Sequence, residues 1–220
     1  MTMFLSLSLV FFLLWFFLLF LSRTTRKEQL VMSFVGLVLS PAVLLVSLGD
    51  VQGAAGVSPT GIGIEDFLFS FSFFGIAAVI YQALLGKRMK PWKGTRAILI
   101  HPIIHWFAHL VVVLALWIGI SFGLMAIFTL TSFQSFAIGG LLIGTYVIAH
   151  RHDLLLNAIV SGCLVAILLF LLEQIFFFRL SEQVGGAIAQ SISVEELVWA
   201  WVVGFAIGPL YEYLRHKKLV

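Results

Sequence analysis

The sequence predicts an all-α integral membrane protein of seven transmembrane helices. Two parallel three-helix repeats are joined by one connecting helix, a 3+1+3 plan with the N-terminus outside and the C-terminus inside. Three observations predict it. The first is composition: 61% of the 220 residues are apolar and 10% are charged, in runs of about twenty that match the hydrocarbon core of a bilayer. The second is an internal echo at an offset of 130 residues, and the third is the distribution of basic side chains.

Hydropathy and punctuation place the spans at about 3–21, 30–48, 65–85, 98–119, 123–148, 154–178 and 195–214. The first run has no positive residue ahead of it and is followed by Arg23, Arg26 and Lys27. A cleavable secretion signal has the reverse polarity, so this run is expected to stay as a span. Gly49 to Gly63, with Ser58-Pro59, reads as an irregular loop. The break between the fourth and fifth spans is set at Gly119 to Gly123, because fifty residues are too many for one crossing.

The echo begins at two acidic pairs. Ile64-Glu65-Asp66-Phe67-Leu68-Phe69 falls on Val194-Glu195-Glu196-Leu197-Val198-Trp199, and Tyr81-Gln82 falls on Tyr211-Glu212. Lys87-Arg88 likewise falls on Lys217-Lys218. An internal duplication makes residues 1–97 a first three-helix repeat, 98–122 a connecting transmembrane helix, and 123–220 a second repeat. An odd span between two three-helix units gives both the same orientation. Charge agrees: with the N-terminus outside, twelve of the thirteen basic residues are on the inner side and only Arg179 is opposite.

The acids have two roles open to them. Ser193 with Glu196, and Gly63 with Asp66, have the spacing of a helix N-terminal capping box. Adjacent residues sit about 100° apart on a helix, so one acid of each pair can cap while Glu65 and Glu195 face the bundle. Glu173, beside Gln174 in the sixth span, is a fifth acid at similar depth. An ionisable group at membrane depth is costly and is expected to face protein or a cavity.

His101, His105 and His109 recur every four residues on the fourth span. No acid stands at helical spacing to complete a metal site, and no metal is expected. His105 and His109 are expected deeper in the span, as a proton relay or in structural hydrogen bonds. His150-Arg151-His152-Asp153 reads as an inner loop, and Tyr81 and Tyr211 as interface belt residues. Cys163 is the only cysteine, which excludes an intrachain disulfide or a cysteine metal cluster. A net charge of +3 with clustered basic residues gives no reason to expect nucleic acid as a partner.

The duplicated acid-acid-aromatic segment resembles the signature of the lycopene cyclase domain family, the membrane-embedded cyclases of carotenoid synthesis in actinobacteria, archaea and fungi. That family carries Pro-x-Glu-Glu/Asp-x-x-Phe once in each three-helix half. Here the prolines are replaced by Gly63 and Ser193, and the second aromatic is Trp199. The resemblance implies a cofactor-free, redox-neutral cyclisation of a linear polyene or other isoprenoid through a carbocation. It implies acid and base roles among Glu65, Asp66, Glu195 and Glu196, with Glu173 as a further candidate. Phe67, Phe69, Trp199 and Trp201 are the implied substrate walls, with His105 and His109 near them. Any single aromatic among 22 phenylalanines is otherwise expected to pack or meet lipid.

A prokaryotic cell membrane is the expected location, with the bilayer and an apolar polyene as partners and a homo-oligomer left open. Competing readings are a small-solute transporter of the same plan and a non-catalytic isoprenoid-binding relative. A retinal photoreceptor would need a lysine inside the last span, and Lys217 and Lys218 lie beyond it.

Overall fold

The computed structural model describes residues 3–22, 24–53, 63–85, 89–91, 102–183, 194–215 and 217–219. These form helices α1 (Met3–Leu21), α2 (Arg26–Gly53), α3 (Ile64–Leu85), α4 (Pro102–Phe128), α5 (Ser132–His150), α6 (Leu155–Gln183), α7 (Val194–Ile207) and α8 (Leu210–Arg215). A short antiparallel pair, β1 (Met89–Pro91) with β2 (Lys217–Leu219), is the only sheet among the described residues. Five segments are long and apolar enough to cross a membrane: Ile64–Leu85, Trp106–Phe128, Ser132–His150, His152–Ile175 and Val194–Arg215. With Leu5–Leu21 as a shorter apolar helix, the chain has the character of an integral membrane protein.

Packing follows a simple order. Both α1 and α2 lie against α3, both α5 and α6 lie against α7, and α3 meets α6 and α7. α4 leans on α5 and α8. Small residues set the closest contacts. A Cβ at Gly204 would meet the backbone of α6 at Ser161 O, 2.7 Å, and Gly162 Cα, 2.8 Å. A Cβ at Gly75 would run into Ser33 Oγ of α2 and Trp15 Nε1 of α1. Without a hydrophobic drive between helices in lipid, such close backbone approach is how they hold together.

α4 shows what the bilayer changes. Its buried residues Leu110, Val113, Leu114, Trp117 and Ser121 form one helical stripe, while Phe107, Val111, Val112, Leu116 and Phe122 are exposed. An apolar outer face is a liability in water and the preferred surface in lipid. The stripe is anchored by Trp117, which stacks on Phe136 of α5 at 4.7 Å and donates to its carbonyl at 3.0 Å.

The break between α4 and α5 begins six residues beyond the expected Gly119–Gly123. The helix runs through both glycines to Phe128, and the turn is Thr129 to Thr131. Thr129 adopts φ 51°, and the Thr131 side chain accepts from Gln134 N at 3.3 Å to cap α5. A glycine inside a helix costs stability but does not stop it, and nothing stands within 4 Å of a Cβ at either position. His105 and His109 are the fourth and eighth residues of α4, nearer its start than its middle.

α7 ends at Ile207 and α8 resumes at Leu210, with Gly208-Pro209 between them. Proline has no N–H to donate back along the helix. The chain still continues in nearly the same course, since Gly208 N bonds Gly204 O and Tyr213 N bonds Pro209 O.

Candidate functional site

Four of the five candidate acids stand in the first turns of α3 and α7 and the fifth, Glu173, in α6, in unlike surroundings. Asp66 is a cap: its Oδ2 accepts from Gly63 N at 2.9 Å, and its own N–H donates to Gly63 O at 3.2 Å. Glu65 is half-buried, and its carboxylate folds back over Gly63, where a Cβ would collide with it. Glu195 is exposed and Glu196 half-buried. Glu196 stands close enough to Glu173 of α6 to act on it electrostatically. One oxygen of Glu173, Oε2, is shielded and has no hydrogen-bond partner. Gln174 is exposed. The Ser193 half of the second capping box lies outside the described residues.

Beneath the acids the aromatics form a row across α3 and α7. Phe69 and Phe73 stack at 5.1 Å and 17°, and Phe73 stacks on Trp199 at 5.2 Å and 18°. Phe11 of α1 meets Phe69 and Phe73 edge-on, and Phe133 of α5 closes the other end against Trp199 at 6.2 Å. A ring is negative on its face and positive at its edge, so such a row favours a nearby cation where a ring face is left uncovered. The structure thus joins Phe69 and Trp199 through Phe73, a residue the sequence did not single out. Trp201 takes another direction, stacking on Phe205 at 4.9 Å beside Gly162 of α6. Phe67 is half-buried.

His109 is exposed on α4; His101 and the side chain of His105 lie outside the described residues, as do Lys87, Arg88, Lys93, Arg96 and the side chain of Arg179. Among the described residues, no three His, Cys, Asp or Glu side chains converge as a metal site would require.

A second polar cluster occupies the opposite end of α3, where α8 packs, and it is more deeply buried. Gln82 Nε2 donates to Glu212 Oε1 at 2.6 Å and to both oxygens of Glu28 at 3.1 Å. Asn157 Nδ2 of α6 donates to Glu212 Oε1 at 3.1 Å and to Gly208 O at 3.3 Å. Ser161 donates to Asn157 Oδ1 at 3.0 Å. Glu28, Gln82, Asn157, Ser161 and Glu212 are all buried, Glu212 completely. Arg151 flanks them, held by Asp153 at 2.7 Å and donating to the Glu212 carbonyl at 2.9 Å.

The sequence pointed to only two members, Gln82 and Glu212, and only as equivalents in the echo. Tyr81 and Tyr211, expected at the interface, are buried beside them at 1% and 3% exposure. Glu28 and Asn157 stand within a few residues of basic side chains in the first turns of their helices, which reads as membrane surface. The available signal was their proximity to a helix start in two segments of the same plan. No family model, curated protein or solved structure matches the chain.

Proposed function

We propose that the protein is a membrane-embedded, redox-neutral cyclase that closes a ring at the end of a linear carotenoid or other isoprenoid. The observation that carries this reading is the stacked row Phe69–Phe73–Trp199 lying between the two helices that bear the acids. A carboxylic acid protonates the terminal double bond, the carbocation closes a six-membered ring, and a base removes a proton. No atoms or electrons are gained overall. Aromatic faces stabilise the cation without reacting with it, while Glu173, Glu196, Glu65, Asp66 and Glu195 supply the acid and base candidates.

The seven-span 3+1+3 plan, N-out and C-in, belongs to the same reading; because α4 runs to Phe128, its second half begins with α5 rather than at residue 123. Its support is a pair of coincidences. Gln82 and Glu212, 130 residues apart, hydrogen-bond to each other. Met89 and Leu219, at the same separation, face each other in the β1–β2 pair. A residue that touches its own equivalent must lie on the axis relating the halves, and two such points define a direction.

Expression in a lycopene-accumulating bacterium, with pigments separated by chromatography, tests the function. Cyclic carotene from the wild type, lost in Glu173→Gln or Glu196→Gln, is the expected result. Cyclisation that survives every Glu→Gln and Asp→Asn change would sink the carboxylate mechanism. No product from well-expressed wild type would favour a transporter of the same plan or a non-catalytic binding relative.

A further inference from the structure

Glu212 is wholly buried, yet its two oxygens are treated differently. Oε1 accepts two hydrogen bonds, from Gln82 and Asn157, whereas Oε2 accepts none. The donors that reach the carboxylate or flank it serve other acceptors as well. Gln82 Nε2 also serves Glu28, Asn157 Nδ2 also serves Gly208 O, and Arg151 is held by Asp153 and the Glu212 carbonyl. A buried carboxylate oxygen with no donor is costly enough that an occupant is called for.

We propose that the cluster around Glu212 is a binding site for a hard cation. The carboxylate is joined through the Asn157 amide to three further oxygens, Asn157 Oδ1, Ser161 Oγ and the Gly208 carbonyl, in one chain of contacts. An all-oxygen set suits sodium, calcium or magnesium and discriminates against softer metals. The backbone adds to it. The helix is interrupted at Gly208-Pro209 one turn before Glu212, and interrupted membrane helices expose carbonyls at the depth where ions are held. Glu28, on the far side of the Gln82 amide, brings a second carboxylate from α2. With Glu212 alone engaged a monovalent ion balances the charge; with both acids engaged a divalent ion does. This site is separate from the acids at the start of α3 and α7 and does not depend on the cyclase reading.

The test is thermal unfolding of the purified full chain in detergent, at one ionic strength, in sodium, calcium, magnesium or choline chloride. A specific cation bound only by the folded state raises the midpoint by roughly 5–10 °C at saturation. The expected result is a saturable rise in one of the metal salts over choline, absent in Glu212→Gln and weakened in Ser161→Ala. Equal midpoints in all the salts would overturn the site and leave a buried water as the occupant. So would an unchanged rise in Glu212→Gln. If that variant fails to fold, equilibrium dialysis of the wild type with radioactive sodium or calcium decides. One saturable site per chain supports the assignment, and none overturns it.

Discussion

The Gln82 side-chain amide donates to the Glu212 carboxylate at 2.6 Å across 130 residues of chain. The same nitrogen reaches both oxygens of Glu28, so one small neutral group holds two buried acids from two helices. Removing the donor would leave the acids as buried as before and poorer in partners, which is the expensive way to break such a contact.

Gln82→Ala is therefore expected to destabilise the protein by about 3 kcal/mol. Thermal unfolding in detergent would show it. Gln82→Glu is expected to be worse, since it sets a third carboxylate among the first two. A variant as stable as the wild type would mean that the amide is incidental.

Glycines at different depths should respond in opposite directions. Gly204→Ala drives a methyl into the backbone of α6 at Ser161 and Gly162, and is expected to cost roughly 1–3 kcal/mol. Gly123→Ala points into open space and is expected to be neutral or to gain up to about 1 kcal/mol through helix propensity. Comparing the two melting temperatures checks the packing of α6 on α7 and the continuity of α4 together.

Trp199→Leu interrupts the aromatic row, whereas Trp201→Leu alters a stack on the α6 side. On the cyclase reading, the first is expected to lower product yield about tenfold, the equivalent of a cation–π contact worth 1–2 kcal/mol. The second should affect stability more than yield. Chromatography of pigments beside immunoblots for protein level separates the two effects.

Among the acids, Glu173→Gln and Glu196→Gln are expected to lower cyclisation a hundredfold or more, in the range of general acid–base catalysis. Glu195→Gln is expected to act weakly, because Glu195 is exposed. Asp66→Ala should cost about 1 kcal/mol of stability as a lost cap. An effect of Glu195→Gln as large as that of Glu173→Gln would reverse this ranking.

Much of the fold was legible because membrane helices announce themselves by length and hydropathy. α1 and α3 fall within a residue of their expected bounds. The α4–α5 turn differs from its expected place because Gly119 and Gly123 do not stop the helix, while Thr131 caps the next one. The acids were legible as residues, and the capping role of Asp66 follows directly from its spacing. Which acid is shielded was not legible, since it depends on how α6 sits against α7. The Glu28–Gln82–Glu212–Asn157 cluster was hidden for a similar reason. Its members come from four helices, and each alone resembles a polar residue at a membrane surface.

On the proposed 3+1+3 plan, the Gln82–Glu212 contact also bears on ancestry. If two identical chains once met about the same axis, each on-axis residue would have faced a copy of itself. Two glutamates there would repel, and two glutamines would forgo the stronger bond that a charged acceptor makes. Fusing the copies into one reading frame frees each position to change alone, so donor can oppose acceptor. Asymmetry at that one point is something a homodimer of either half could not have evolved.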